Sequence, residues 1–174
     1  MKTAAFALIL VFSAFTKNVA QEAAADSSAG LSHIQEILGS STFTDVNGKA
    51  YSLKDFKGRA VVFHFWENRA GGSVKSMMEL HQAQDKYGKD VVVIAVNIQS
   101  LDKSEQVKKF SIESVYNFVY VPGQELSQKL AVPKIPYKIF VNAEGHVVSS
   151  YSGAYPDVRE FQRNLANIEK CIKK

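Results

Sequence analysis

At 174 residues, 46% hydrophobic and 22% charged, the chain has the size and polarity of a single globular domain, and neither a fibrous nor a disordered protein is expected. Its formal charge of +4 comes from lysines spread along the whole length without a dense cluster, which argues against nucleic-acid and membrane-surface partners. The single cysteine, Cys171, excludes an intramolecular disulfide.

The first predicted segment is an export signal over residues 1–20. Lys2 supplies a positive start, Ala4 to Phe15 is apolar apart from Ser13, and alanines follow. Thr16, Lys17 and Asn18 cut the run short of the roughly 20 apolar residues that a membrane span needs. Cleavage after Ala20 and cleavage as late as Ala25 both fit. Loss of residues 1–20 removes Lys2 and Lys17 and no acid, taking the charge from +4 to +2. Residues 21–30, rich in Ala, Ser, Asp and Glu without an apolar period, read as a flexible leader, and the domain is expected over 31–174.

Leu31, Ile34, Ile37 and Leu38 suggest a short helical turn. Phe43–Val46 and Ala50–Leu53 flank Asn47-Gly48, a hairpin signal because Asn-Gly accepts the positive φ of a tight turn. Ala60–Trp66 and Val91–Val96 are near-continuous apolar runs, as expected of parallel strands covered on both faces. Between them Val74, Met77, Met78 and His81 recur at helical spacing, with Gly88 as the stop. A second helix is expected from Asp102, with Glu105 completing a capping box and Val107 and Phe110 facing inward. Phe118–Val121 reads as a short strand, Glu125–Ala131 as a short helix, and Ile139–Val141 with Val147–Val148 as a hairpin around Asn142–Gly145. Val158, Phe161, Leu165, Ile168 and Ile172 then step by three and four along a closing helix started by Pro156-Asp157. The order predicts an α/β fold: a mixed sheet with helices on both faces and an N-terminal hairpin.

Asp45–Lys49, Leu53–Gly58, the strand Val61–Trp66, Leu130–Pro136 and Ile139–Val148, in this order and spacing, resemble the thioredoxin-like redoxin family, in particular its exported branch related to TlpA and ResA. The resemblance runs from about Phe43 to the C-terminus. It implies a thioredoxin-like three-layer sandwich, an active-site Trp-Cys-x-x-Cys where the first long helix begins, and a cis-proline at Pro136. Laid on this chain, the motif puts Arg69 where the Trp belongs and Ala70-Gly71-Gly72-Ser73 where Cys-x-x-Cys belongs. Dithiol chemistry needs an attacking thiolate and a second thiol to resolve the mixed disulfide. Ala70 has no nucleophile, and a helix dipole cannot ionise the Ser73 hydroxyl near neutral pH. The degenerate positions Ala70 and Ser73 are therefore assigned no catalytic role.

Cys171 sits at the negative end of the closing helix, where the dipole raises a thiol pKa. It reads as a structural residue, the alternative being an intermolecular thiol that links a homodimer. His64, inside an apolar strand, reads as a hydrogen-bonded core histidine, and His81, Met77 and Met78 read as packing residues. The four histidines and one cysteine lack metal-ligand spacing, Gly71-Gly72 lacks the rest of a phosphate loop, and neither metal nor cofactor is expected. By the resemblance, Pro136 leaves the Ile135 backbone free to pair with an extended peptide, in a groove formed with Trp66, Arg69 and Tyr137. Trp66 is expected to be partly exposed there. The expected function is that of a periplasmic or secreted, non-catalytic module holding a protein or peptide partner in the cell envelope. The alternative is a thiol-disulfide oxidoreductase or antioxidant-family protein acting through Cys171 or with a partner's cysteines.

Overall fold

In the computed structural model the described residues are 28–68, 70–99, 104–153 and 158–172. The expected export signal, most of the expected leader, Arg69, Asp102 and Pro156-Asp157 lie outside them. Helix α1 covers residues 28–40, so the helix begins inside the stretch read as leader, and it is longer than the turn expected from Leu31. Its first carbonyl is engaged: the Ser32 hydroxyl donates to the Ser28 oxygen at 3.0 Å. Ile34 and Leu38 face the core.

Strands β1 (Phe43–Thr44) and β2 (Ala50–Tyr51) pair antiparallel, and Gly48 takes φ +84° in the turn between them. The Asp45 carboxylate closes that turn by accepting the Asn47 and Lys49 amides at 2.8 and 2.9 Å. The hairpin is shorter than expected because the Val46 amide donates instead to the Tyr120 carbonyl at 3.0 Å. A single 3-10 turn, Leu53–Phe56, follows.

The main sheet contains β3 (Ala60–Trp66), β4 (Val91–Asn97), β5 (Val119–Pro122), β6 (Tyr137–Val141) and β7 (Val147–Ser152), in the order β5-β4-β3-β6-β7. The three strands β3, β4 and β5 are parallel, and β6 and β7 add antiparallel on the far side of β3. Alternation along each central strand splits the core. Val61, Phe63 and Phe65 of β3 join Val92, Ile94 and Val96 of β4 under α1, the 3-10 turn and helix α4 (Gln124–Lys129). Ala60 and Val62 join Val91, Val93 and Phe140 under helices α2 (Gly71–Tyr87) and α5 (Val158–Ile172). Trp66, Ala95 and Tyr120 meet Met77 of α2 and Val107 of helix α3 (Ser104–Glu113). The result is the three-layer, mixed-sheet α/β sandwich with an N-terminal hairpin.

Gly123, which opens α4, has no room for a side chain: a Cβ there would lie 2.0 Å from Val96 Cγ1. Glycine is what lets α4 pack onto β4. Two packing expectations are corrected. Met78 is 45% exposed and Val158 63% exposed, because α2 turns Met77 and Leu80 to the sheet and α5 turns Glu160 and Asn164 inward.

Candidate functional site at the start of helix α2

Strand β3 ends at Trp66, and after a short connection Ala70 forms the N-cap of α2 with no side-chain cap. The first turn is closed by backbone alone: the Ser73 and Val74 amides donate to the Ala70 carbonyl at 2.8 and 3.3 Å. Gly71 and Gly72 are exposed, whereas Ser73 is fully buried and its hydroxyl has no hydrogen-bond partner among the described residues. Helix α2 therefore presents amide groups and the positive end of its dipole at this point, with no thiol.

His64 supports this turn from below. Its Nε2 lies 3.2 Å from the Ser73 carbonyl, which can only accept, so Nε2 carries the proton. Burial first, and the positive charge of Lys138 second, pull its pKa down to about 3. The ring is neutral at every physiological pH. This agrees with a core histidine held by a hydrogen bond.

Pro136 reaches the same end of the sheet. Tyr137 pairs with Phe65, so Pro136 lies level with Trp66. The Ile135–Pro136 peptide bond is cis, and the Pro136 carbonyl accepts from the Gly153 amide at 2.7 Å. Ile135 is half-buried and outside any strand. The two aromatic residues expected in the groove are in the core instead. Trp66 is 0% exposed and packs 4.8 Å, centroid to centroid, from Phe110. Tyr137 is 7% exposed, against Phe65 at 5.9 Å. Both lie under helices or loops that cover the sheet face, so burial of the large rings prevails over display at the sheet end. Arg69 is outside the described residues.

A buried ionic group beneath the site was not foreseen. Lys138, paired with His64 across β3 and β6, is 0% exposed and forms an ion pair with Glu160 of α5, itself 1% exposed. The Ser76 hydroxyl of α2 donates to the same carboxylate at 3.2 Å, and the Lys138 ammonium lies 5.0 Å from the Tyr151 ring centre. Burial pulls the Lys138 pKa down against the attraction of Glu160, and pushes the Tyr151 hydroxyl up. The available signal was a lysine inside the apolar run Tyr137–Val141, facing a helix whose polar positions 160 and 164 share the stripe of Ile168.

Cys171 is far from α2's first turn. It is 2% exposed in the cluster of Leu80, Ala83 and Ile168, and burial pushes its thiol up to about 12. Its carbonyl accepts from the Ala143 amide at 3.4 Å, beside the end of β6 where Val141 pairs with Val61. From Val61 to Trp66 the strand rises roughly 16 Å, at about 3.3 Å per residue. Among the described residues no group of three or more His, Cys, Asp or Glu is placed to hold a metal ion, and no helix is long and apolar enough to cross a membrane.

The family model of the AhpC/TSA family matches residues 34–155. Thiol-disulfide oxidoreductase ResA of Bacillus thuringiensis subsp. konkukian is 27% identical over 134 residues, 75% of this chain and 72% of that protein. Among solved structures, a Chlorobium tepidum protein assigned as thiol:disulfide interchange protein DsbE superposes with a TM-score of 0.66 at 22% identity, covering 76% of this chain and 93% of that one. A secreted Mycobacterium tuberculosis disulfide oxidoreductase, homologous to E. coli DsbE, gives 0.57 at 19% identity, covering 75% and 97%. The matched span takes in the sheet, the start of α2 and Pro136, and on that ground the chain belongs to the AhpC/TSA family of thioredoxin-like redoxins.

Proposed function

We propose that this chain is an exported, non-catalytic member of its family that holds an extended protein or peptide segment at the end of the sheet where α2 begins. The observation that carries this reading is the separation of the only cysteine from that site: Cys171 is buried and protonated at the opposite end of β3, while the first turn of α2 offers Ala70 and Ser73. No thiolate is available to attack, and no second thiol to resolve. The alternative, an oxidoreductase working through Cys171, requires that thiol to leave the buried cluster that α5 forms with α2 and the sheet.

With Trp66, Pro136 and Tyr137 buried, the surface left for a partner consists of Ala70, the exposed Gly71 and Gly72, and the half-buried Ile135, with Arg69 as a candidate beside them. Export is supported by the apolar N-terminal run and by a secreted structural relative. Titrating the isotope-labelled chain with an unfolded, cysteine-free peptide tests the binding role. Saturable amide shifts confined to Gly71, Gly72, Ile135 and Gly153 are expected. A flat response at those positions with peptide at millimolar concentration contradicts it.

A further inference from the structure

At the end of the sheet away from Ala70, helix α1, the 3-10 turn and the β6–β7 turn enclose a cavity of about 230 Å³. Its floor is apolar: Leu53, Phe56, Val61 and Val141 line it, each at most 8% exposed. Its rim is basic. Lys54, Lys57 and Arg59 surround the opening against a single acid, Glu144. The Arg59 guanidinium rests 5.3 Å from the centre of the Phe56 ring, a contact that holds the charge at the mouth. Lys54 and Lys57 are exposed, and neither takes part in an ion pair among the described residues. The wall is fixed by Gln35 of α1, whose side chain donates to the Gly145 carbonyl at 3.0 Å and accepts from the Val147 amide at 2.6 Å.

An apolar floor under a positive rim suits a ligand that is apolar at one end and anionic at the other. An inorganic anion leaves the floor unfilled, and a neutral hydrocarbon brings no counter-charge to Lys54, Lys57 and Arg59. The cavity is also smaller than the roughly 300–1,000 Å³ of drug-sized sites, which favours a short acyl or aryl body over a two-chain lipid or a nucleotide cofactor. We propose that this cavity binds a small amphipathic carboxylate, with its body on Phe56 and Val61 and its carboxylate between Lys57 and Arg59. The site lies at the opposite end of β3 from the peptide surface and does not depend on that reading.

The test is an amide-shift titration of the labelled chain with octanoate, octan-1-ol and acetate in parallel. Octanoate should saturate with shifts at Leu53, Phe56, Lys57 and Gly145, about tenfold or more tighter than the alcohol or acetate. Lys57→Glu with Arg59→Glu should weaken it at least as much while leaving distant amides unmoved. Should that variant lose its fold, the unaltered chain still decides: octanoate must bind more weakly at high salt than at low salt. Equal affinity for octan-1-ol, salt-independent binding, or shifts at Gly71 and Gly72 instead would overturn the assignment. So would tighter binding of a short peptide through its C-terminal carboxylate, which makes the cavity a protein-tail site.

Discussion

His64 carries a clear pH signature. Its folded pKa of about 3 lies below the unfolded value of 6.5, so the unfolded chain takes up the proton first. The stabilisation is therefore complete above pH 6.5 and is lost as pH falls towards 3, by up to about 1.4 kcal/mol for each pH unit. Urea midpoints should drop between pH 7 and pH 5, and His64→Leu should flatten that drop while lowering stability at neutral pH, where the Ser73 carbonyl loses its donor. A midpoint falling as steeply without the imidazole assigns the effect elsewhere. Cys171 makes a second prediction at this scale. Its thiol, buried and pushed up to about 12, should resist maleimide in the native chain at neutral pH and react fully in denaturant. Rapid native labelling, or a disulfide-linked dimer on non-reducing gels, would show the cysteine to be reachable.

Among the elements, α5 departs most from a simple apolar stripe. Its buried positions are Glu160, Asn164, Asn167, Ile168 and Cys171, and three of the five are polar because they serve Lys138, Tyr151 and Ser149 on the sheet. Removing one member of a buried ion pair strands the other charge, whereas removing both need not be costly. Glu160→Leu alone should cost about 3–5 kcal/mol, and Lys138→Met with Glu160→Leu should recover most of that loss in a denaturant series. A double variant as unstable as the sum of its single changes would mean that the two groups do not act as a pair. This cluster also marks where the sequence was hard to read. Helical periodicity located α2 and α5, but it counted Met78 and Val158 as core residues and passed over Glu160, because a buried polar group is recognisable only once its partner on another element is known.

For the whole molecule, the topology was legible because β3 and β4 are apolar on both faces, and only helices on both sides of a parallel pair can satisfy them. The start of α2 was placed correctly at Ala70, with Gly88 as its stop. What the sequence did not reveal was which way the rings beside the site turn. Trp66 and Tyr137 stand on strands covered on both faces, so their types fit a groove and a core equally well, and the packing of Phe110 and Phe65 decides for the core. The site is thereby reduced to a backbone surface at a helix start, and the proposed role is binding at this surface without thiol chemistry. The most direct measurement is insulin reduction by dithiothreitol, followed by turbidity, with the native chain and with an Ala70→Cys, Ser73→Cys, Cys171→Ser variant side by side. The native chain should match the protein-free control, and the variant should accelerate the reaction through a thiol at the positive end of α2, with a pKa below the ordinary value of about 8.5. Acceleration by the native chain, or an inert but folded double-cysteine variant, would overturn the proposed role.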